Sequence, residues 1–156
     1  PRFRGREYEI AGFGWHQGWN DLINGDFVKQ YEKNLTNLIQ DVRADLGVKD
    51  LPVVIANSGF SGWYARGRQR HPGIISAQAA VSDCKKHPEF AGSVATVETR
   101  HFWRPSEVSP SSAGYHWNHN AESHMLIGDH MAHAMINIIE DHPHFLDRTN
   151  TGPGGK

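Results

Sequence analysis

Apolar positions change their period from segment to segment along this chain, and each change marks an element. Residues 7–14 (EYEIAGFG) mix alternation with apolar pairs and end in small glycines. That pattern predicts a strand delivering His16 to Asp21 at its carboxyl end. Phe27, Tyr31, Leu35, Leu38, Val42 and Leu46 then recur at spacings of four and three, the stripe of an amphipathic helix. Asn24 or Asp26 can cap its start, and Gly47 stands where a left-handed C-cap belongs. Residues 51–56 (LPVVIA) form a continuous apolar run with β-branched side chains, as expected of a parallel strand buried on both faces.

The next stretch, 57–72, carries glycines, Trp63, Tyr64 and three arginines, a mixture suited to lining a cleft rather than merely joining elements. A helix is expected over 73–86, a third strand over 93–97 (SVATV), and a second long loop over 98–115 with Trp103 in it. A last helix begins near Asn120. Ile127, Met131, Ala134, Met135 and Ile138 trace its apolar face, and His142-Pro143 stops it. Residues 1–146 therefore read as one domain and 147–156 as a flexible tail. Strand and helix alternate three times, which argues for an α/β parallel sheet with right-handed crossovers. Ligands of such sheets lie beyond the carboxyl ends of the strands, and here those ends lead into the loops richest in Trp, His, Asn and Gly.

Composition narrows the partners. The 156 residues carry 16 basic and 17 acidic side chains, a formal net charge of -1, so no long-range field draws the chain to nucleic acid or to an acidic membrane. No apolar run approaches the roughly 18 residues of a membrane span, and residues 1–6 are basic without the apolar stretch of a signal peptide. The absence of an initiator Met suggests a fragment or a processed piece. Cys84 has no second cysteine to pair with and is expected as a small buried hydrophobe on a helix.

Two loops hold candidate chemistry. In Trp15-His16-Gln17-Gly18-Trp19-Asn20-Asp21, a glycine N–H and an asparagine amide can together donate to the negative oxygen that develops when an ester carbonyl is attacked; a glycine turn followed by an Asn N-cap is the plain alternative. In Gly114-Tyr115-His116-Trp117-Asn118-His119, His116 precedes a helix and is flanked by aromatics, a setting for a general base as well as for an ordinary surface histidine.

Taken together, GFGWHQGWND, LPVVIANSGFSGW, VETRHFWRPSEVSP and GYHWNHNAESHMLIGDHMAHAM resemble the C-terminal half of the sialate O-acetylesterase-like domain. That domain is related to carbohydrate esterase family six, in the SGNH hydrolase superfamily. The resemblance implies a three-layer α/β/α, flavodoxin-like fold with a five-stranded sheet of order 2-1-3-4-5, of which this chain supplies the last three strands. It implies hydrolysis of O-acetyl groups on a sugar or polysaccharide by serine-type acyl transfer, without a metal or other cofactor. Gly18-Trp19-Asn20 would correspond to the family's Gly-x-Asn block, with the Asn20 side chain donating to the oxyanion, His116 would be the catalytic histidine, and the glycine that usually adds another oxyanion donor would lie upstream. Trp15, His16, Gln17, Trp19, Ser58 and Trp103 would contact substrate. The family's nucleophilic serine would lie upstream of everything present here. Where an acid commonly stands three residues before the histidine, this chain has Ala113, leaving Glu98 and Glu107 as candidates to orient the imidazole. The strand at 10–13 would then lack its neighbour, so association with the missing half, or with itself, is expected through an open edge. Relatives of this kind are commonly secreted or periplasmic.

Other readings compete. Ser58 in Asn57-Ser58-Gly59 sits in a small-residue turn superficially like a nucleophile turn. His124, Asp129, His130 and His133 share the last helix at spacings that can seat a metal, without an HExxH pattern. Five tryptophans on or near the loops also suit a non-catalytic carbohydrate-binding or degenerate esterase module. Arg66, Arg68 and Arg100 could bind an acidic sugar or pair with the chain's own carboxylates.

Overall fold

A computed structural model describes residues 9–64 and 71–141. Three parallel strands, β1 (Phe13–Trp15), β2 (Val53–Ala56) and β3 (Val94–Val97), pair in the order β1-β2-β3. Phe13 is in register with Val53, and Val53 with Val94. A short helix α1 (Trp19–Leu22) and the long α2 (Gly25–Leu46) connect β1 to β2; α3 (His71–Val81) leads to β3; α4 (Ala121–Asp141) closes the chain. Both crossovers step along the sheet in the same direction, so a single handedness puts α2 and α3 on one face and leaves the other to α4. The fold is α/β, consistent with part of an SGNH-like domain.

Alternation along β2 assigns its side chains to the two layers. Val53 and Ile55 pack with Tyr31, Leu35 and Ile39 of α2 and with Ile74 and Val81 of α3, whereas Val54 faces Ile138, Met131, Ala134 and Met135 of α4. All four residues of β2 are buried, as the unbroken apolar run requires. Each fully buried Ile or Leu in these layers contributes about 1.5–3 kcal/mol relative to an exposed position. Gly12 and Gly14 allow close approach of α4, since a Cβ on Gly12 would lie 2.4 Å from the Met135 sulfur.

Several boundaries and faces differ from the sequence reading. β1 begins at Phe13 rather than at residue 7, and residues 7 and 8 lie outside the described part. α2 has the expected caps: Asn24 Oδ1 accepts the Asp26 N–H at 2.9 Å, and Gly47 is left-handed at φ 67°. Its buried stripe, however, is Tyr31, Leu35, Ile39 and Arg43, while Phe27 and Leu46 are exposed. Arg43 enters that stripe because its guanidinium donates to the Leu51 carbonyl at 2.9 Å and to Ser93 Oγ at 2.9 Å, anchoring α2 to the amino ends of β2 and β3. Desolvation holds the Arg43 pKa below its ordinary value, outweighing the pull of Asp50. α3 ends at Val81, well before Lys86, and Cys84 lies in the exposed turn beyond it rather than buried on a helix. Asn120 caps α4 by accepting the Ser123 N–H at 3.1 Å. The expected stop at His142-Pro143, the tail, Arg66 and Arg68 fall outside the described residues.

Candidate active site

The carboxyl ends of the strands open into a cleft of about 440 Å³ lined by His16, Gln17, Gly18, Trp19, Asn20, Phe60, His116, Trp117 and His124. One wall is the loop from β1 into α1. It is tied down by a half-buried polar network: Tyr31 Oη donates to the Gln17 carbonyl at 2.8 Å, Trp15 Nε1 donates to Tyr31 Oη at 3.2 Å, and Gln17 Nε2 donates to Asp21 at 2.5 Å. Gly18 follows, and only glycine fits: a Cβ there would lie 2.0 Å from Ser58 Oγ. Trp19 packs edge-on against Phe60 at 5.2 Å between ring centres. Asn20, the second residue of α1, exposes its side chain on the cleft wall.

The facing wall is a left-handed turn. His116, Trp117, Asn118 and His119 have φ of 48°, 54°, 53° and 57°, a conformation that costs L-residues about 1–2 kcal/mol each. Neighbouring side chains over-determine it. Trp117 is buried in the aromatic cluster with Phe60 and Trp103, each about 6.1 Å away. Asn118, also buried, accepts the Gly114 N–H at 2.8 Å and donates to the Arg104 carbonyl at 3.1 Å. Arg104 is held in turn by Glu122 of α4 at 2.7 Å. The result presents the His116 ring to the cleft between Tyr115, edge-on at 5.3 Å, and His119, stacked at 5.9 Å.

Three imidazoles, those of His16, His116 and His124, line the cleft, and no carboxylate is among its described lining residues. Packed atoms desolvate the His16 ring and His124 adds repulsion, so its imidazole titrates below the ordinary 6.5 although one edge reaches solvent. Among the described residues no carboxylate hydrogen-bonds to the His116 ring. Glu98 is bound instead to Arg100, two bonds reaching its guanidinium and one its backbone N–H. Burial would raise the Glu98 pKa, but the Arg100 bonds, with Asn57, hold it below the usual carboxylate range. Arg100 in turn lies 3.7 Å over the Trp63 ring. Glu107 is exposed in the 3-10 turn Ser106–Val108.

Other expected contacts move away from the cleft. Ser58 is wholly buried behind Gly18, its hydroxyl donating to the Gln17 carbonyl at 3.1 Å, so it neither lines the cleft nor stands open to attack an ester. Trp15 lines a separate hollow with Tyr31 and Leu38, and Trp103, which packs against Trp117 at 6.1 Å between ring centres, is not among the residues lining the cleft. Phe60 and His124 join the cleft unforeseen; nothing local in the sequence marks them, since each reaches it through tertiary packing. On α4, His130 Nδ1 and His133 Nδ1 approach carbonyls of their own helix, Leu126 at 2.9 Å and Asp129 at 3.0 Å. No group of three potential metal ligands occurs among the described residues.

The profile of one family, described as carbohydrate esterase, sialic acid-specific acetylesterase, matches residues 2–137. The chain belongs to this carbohydrate esterase family. A protein described as a probable carbohydrate esterase, from Arabidopsis thaliana, is 27% identical over 81 residues, a match covering 51% of this chain and 31% of that relative's length. No solved structure matches significantly. The family match spans all three strands and both cleft walls, so the residues gathered there belong to an esterase-family domain.

Proposed function

We propose that this chain supplies the oxyanion donors and the general base of a carbohydrate O-acetyl esterase, the attacking serine coming from polypeptide outside it. The observation that carries the reading is the meeting of the Gly18–Asn20 loop with His116, far along the chain, around one cleft at the strand ends. In the proposed reaction the serine oxygen attacks the acetyl carbonyl while His116 takes its proton. The tetrahedral oxyanion accepts from the Gly18 N–H and the Asn20 amide. The imidazolium then protonates the departing sugar oxygen. Water, deprotonated by His116, attacks the acetyl-serine, and the imidazolium returns that proton to the departing serine oxygen as acetate is released. No carboxylate partner for His116 is needed to begin this cycle, though its absence costs rate. Trp19, Phe60 and Trp117 give the cleft apolar faces suited to the C–H surfaces of a sugar ring.

The test is hydrolysis of a chromogenic acetyl ester by the chain alone and by the chain combined with the serine-bearing polypeptide. Activity only in the combination is expected. There, His116→Ala should abolish turnover, and Asn20→Ala should lower kcat by about 10²-fold with folding unchanged. Activity of the chain alone, lost in Ser58→Ala, would sink this assignment. Inertness in both settings would leave a carbohydrate-binding or degenerate module.

A further inference from the structure

Three buried groups converge on a single backbone oxygen beneath the cleft. The Gln17 carbonyl accepts from Tyr31 Oη at 2.8 Å, from Gln78 Nε2 at 2.8 Å and from Ser58 Oγ at 3.1 Å. Ser58 and Gln78 are wholly buried, and Tyr31 is 5% exposed, so every donor approaches from the protein interior. Gln78 is the hub. Its Oε1 accepts the Ser58 N–H at 2.7 Å, which fixes the amide orientation, and its Nε2 also reaches Tyr31 Oη and Ser58 Oγ, both at 3.1 Å.

This arrangement acts on the next residue. In a planar trans peptide the N–H of Gly18 points opposite to the carbonyl of Gln17. With that carbonyl held inward, the Gly18 N–H is turned toward the cleft that Gln17 and Gly18 line, and it has no acceptor among the described residues. Donation to a carbonyl also draws electrons through the conjugated amide, and chained hydrogen bonds strengthen one another in a low-dielectric interior. Three donors therefore do more than fix the peptide plane: they make its N–H a stronger donor.

We propose that Gln78, assisted by Tyr31 and Ser58, is the positioning residue of the oxyanion site, holding and polarising the 17–18 peptide so that the Gly18 N–H is preset for the developing negative charge. The proposal rests on the reading of Gly18 as an oxyanion donor. None of the three side chains lines the cleft or meets substrate; each acts through the Gln17 carbonyl.

The experiment uses the complete esterase, the chain with its serine-bearing polypeptide, and an acetyl ester chromogen. Gln78→Met keeps the buried volume and removes both polar atoms; Gln78→Glu keeps an acceptor for the Ser58 N–H and removes the donors. Each is expected to lower kcat by about tenfold or more, a fraction of the loss from deleting an oxyanion donor, with KM within about twofold. Tyr31→Phe and Ser58→Ala, which each remove one donor with little change in packing, should give smaller losses of the same kind. They also decide the question should the Gln78 variants fail to fold. In ¹⁵N-labelled protein the Gly18 amide proton should move upfield in the same order. Folded variants that retain kcat, that raise KM alone, or that leave the Gly18 amide unmoved would overturn the proposal. A parent protein without esterase activity would instead overturn the esterase reading on which it stands, and the two failures are distinct.

Discussion

Gly18→Ala tests the packing behind the cleft most sharply. The added methyl would sit 2.0 Å from Ser58 Oγ and 3.1 Å from both Ser58 Cβ and Ile74 Cγ2. Ser58 cannot simply turn aside, because its hydroxyl donates to the Gln17 carbonyl and accepts from Gln78 Nε2, each at 3.1 Å, in a wholly buried site. Expelling it forfeits about 0.5–1.5 kcal/mol for each bond. Forcing an extra methyl into a filled site adds about 1–3 kcal/mol. Gly18→Ala should therefore destabilise the protein by about 2–6 kcal/mol. The discriminating measurement is a double-mutant cycle by urea unfolding. Ser58→Ala removes the 2.0 Å contact and leaves neighbours at 3.1 Å, which need yield only a few tenths of an ångström. The double variant should accordingly be more stable than the sum of the single changes by at least about 1 kcal/mol. Any cost of placing a Cβ on this backbone enters both arms and cancels. Additivity within about 0.5 kcal/mol would refute the packing argument, because it would mean that Ser58 Oγ is not what excludes a side chain at Gly18.

Two further outcomes can be checked in the same preparations. His87 loses solvation on folding, but bonds to Glu32 at 3.0 Å and Glu89 at 3.2 Å outweigh that loss and raise its pKa above 6.5. Its stabilising contribution is therefore full below the unfolded value and disappears as pH rises through the raised folded one. Urea midpoints of the parent protein and His87→Gln should thus converge as pH rises from below the ordinary 6.5 through the raised folded value, and a gap that widens with pH would refute the assignment; the effect is modest because both carboxylates reach solvent. Cys84, exposed in its turn, should react with a thiol reagent in the folded protein without a lag, whereas reaction only on unfolding would contradict its placement.

Local sequence determined the elements whose cause is local. Asn24 and Gly47 mark the ends of α2 because capping depends on one side chain and one left-handed residue. The unbroken run at 51–56 gives β2 because only a strand covered on both faces tolerates it. The loop after β1 and the segment at 114–119 stood out by composition, and both form walls of the cleft. Periodicity could not tell that Arg43 belongs to the buried stripe of α2, since its acceptors on Leu51 and Ser93 lie beyond the helix. Nor could it show that Ser58 is sealed behind Gly18, that Glu98 is engaged by Arg100, or that Phe60 and His124 complete the cleft. Four consecutive left-handed residues at 116–119 run against their own preferences and hold only because two of them, Trp117 and Asn118, are buried against Phe60, Trp103, Gly114 and Arg104 outside the segment. Spacing along a chain reports which face of an element is apolar; which distant groups meet that face, and which peptide N–H they turn toward a substrate, is decided when the layers close.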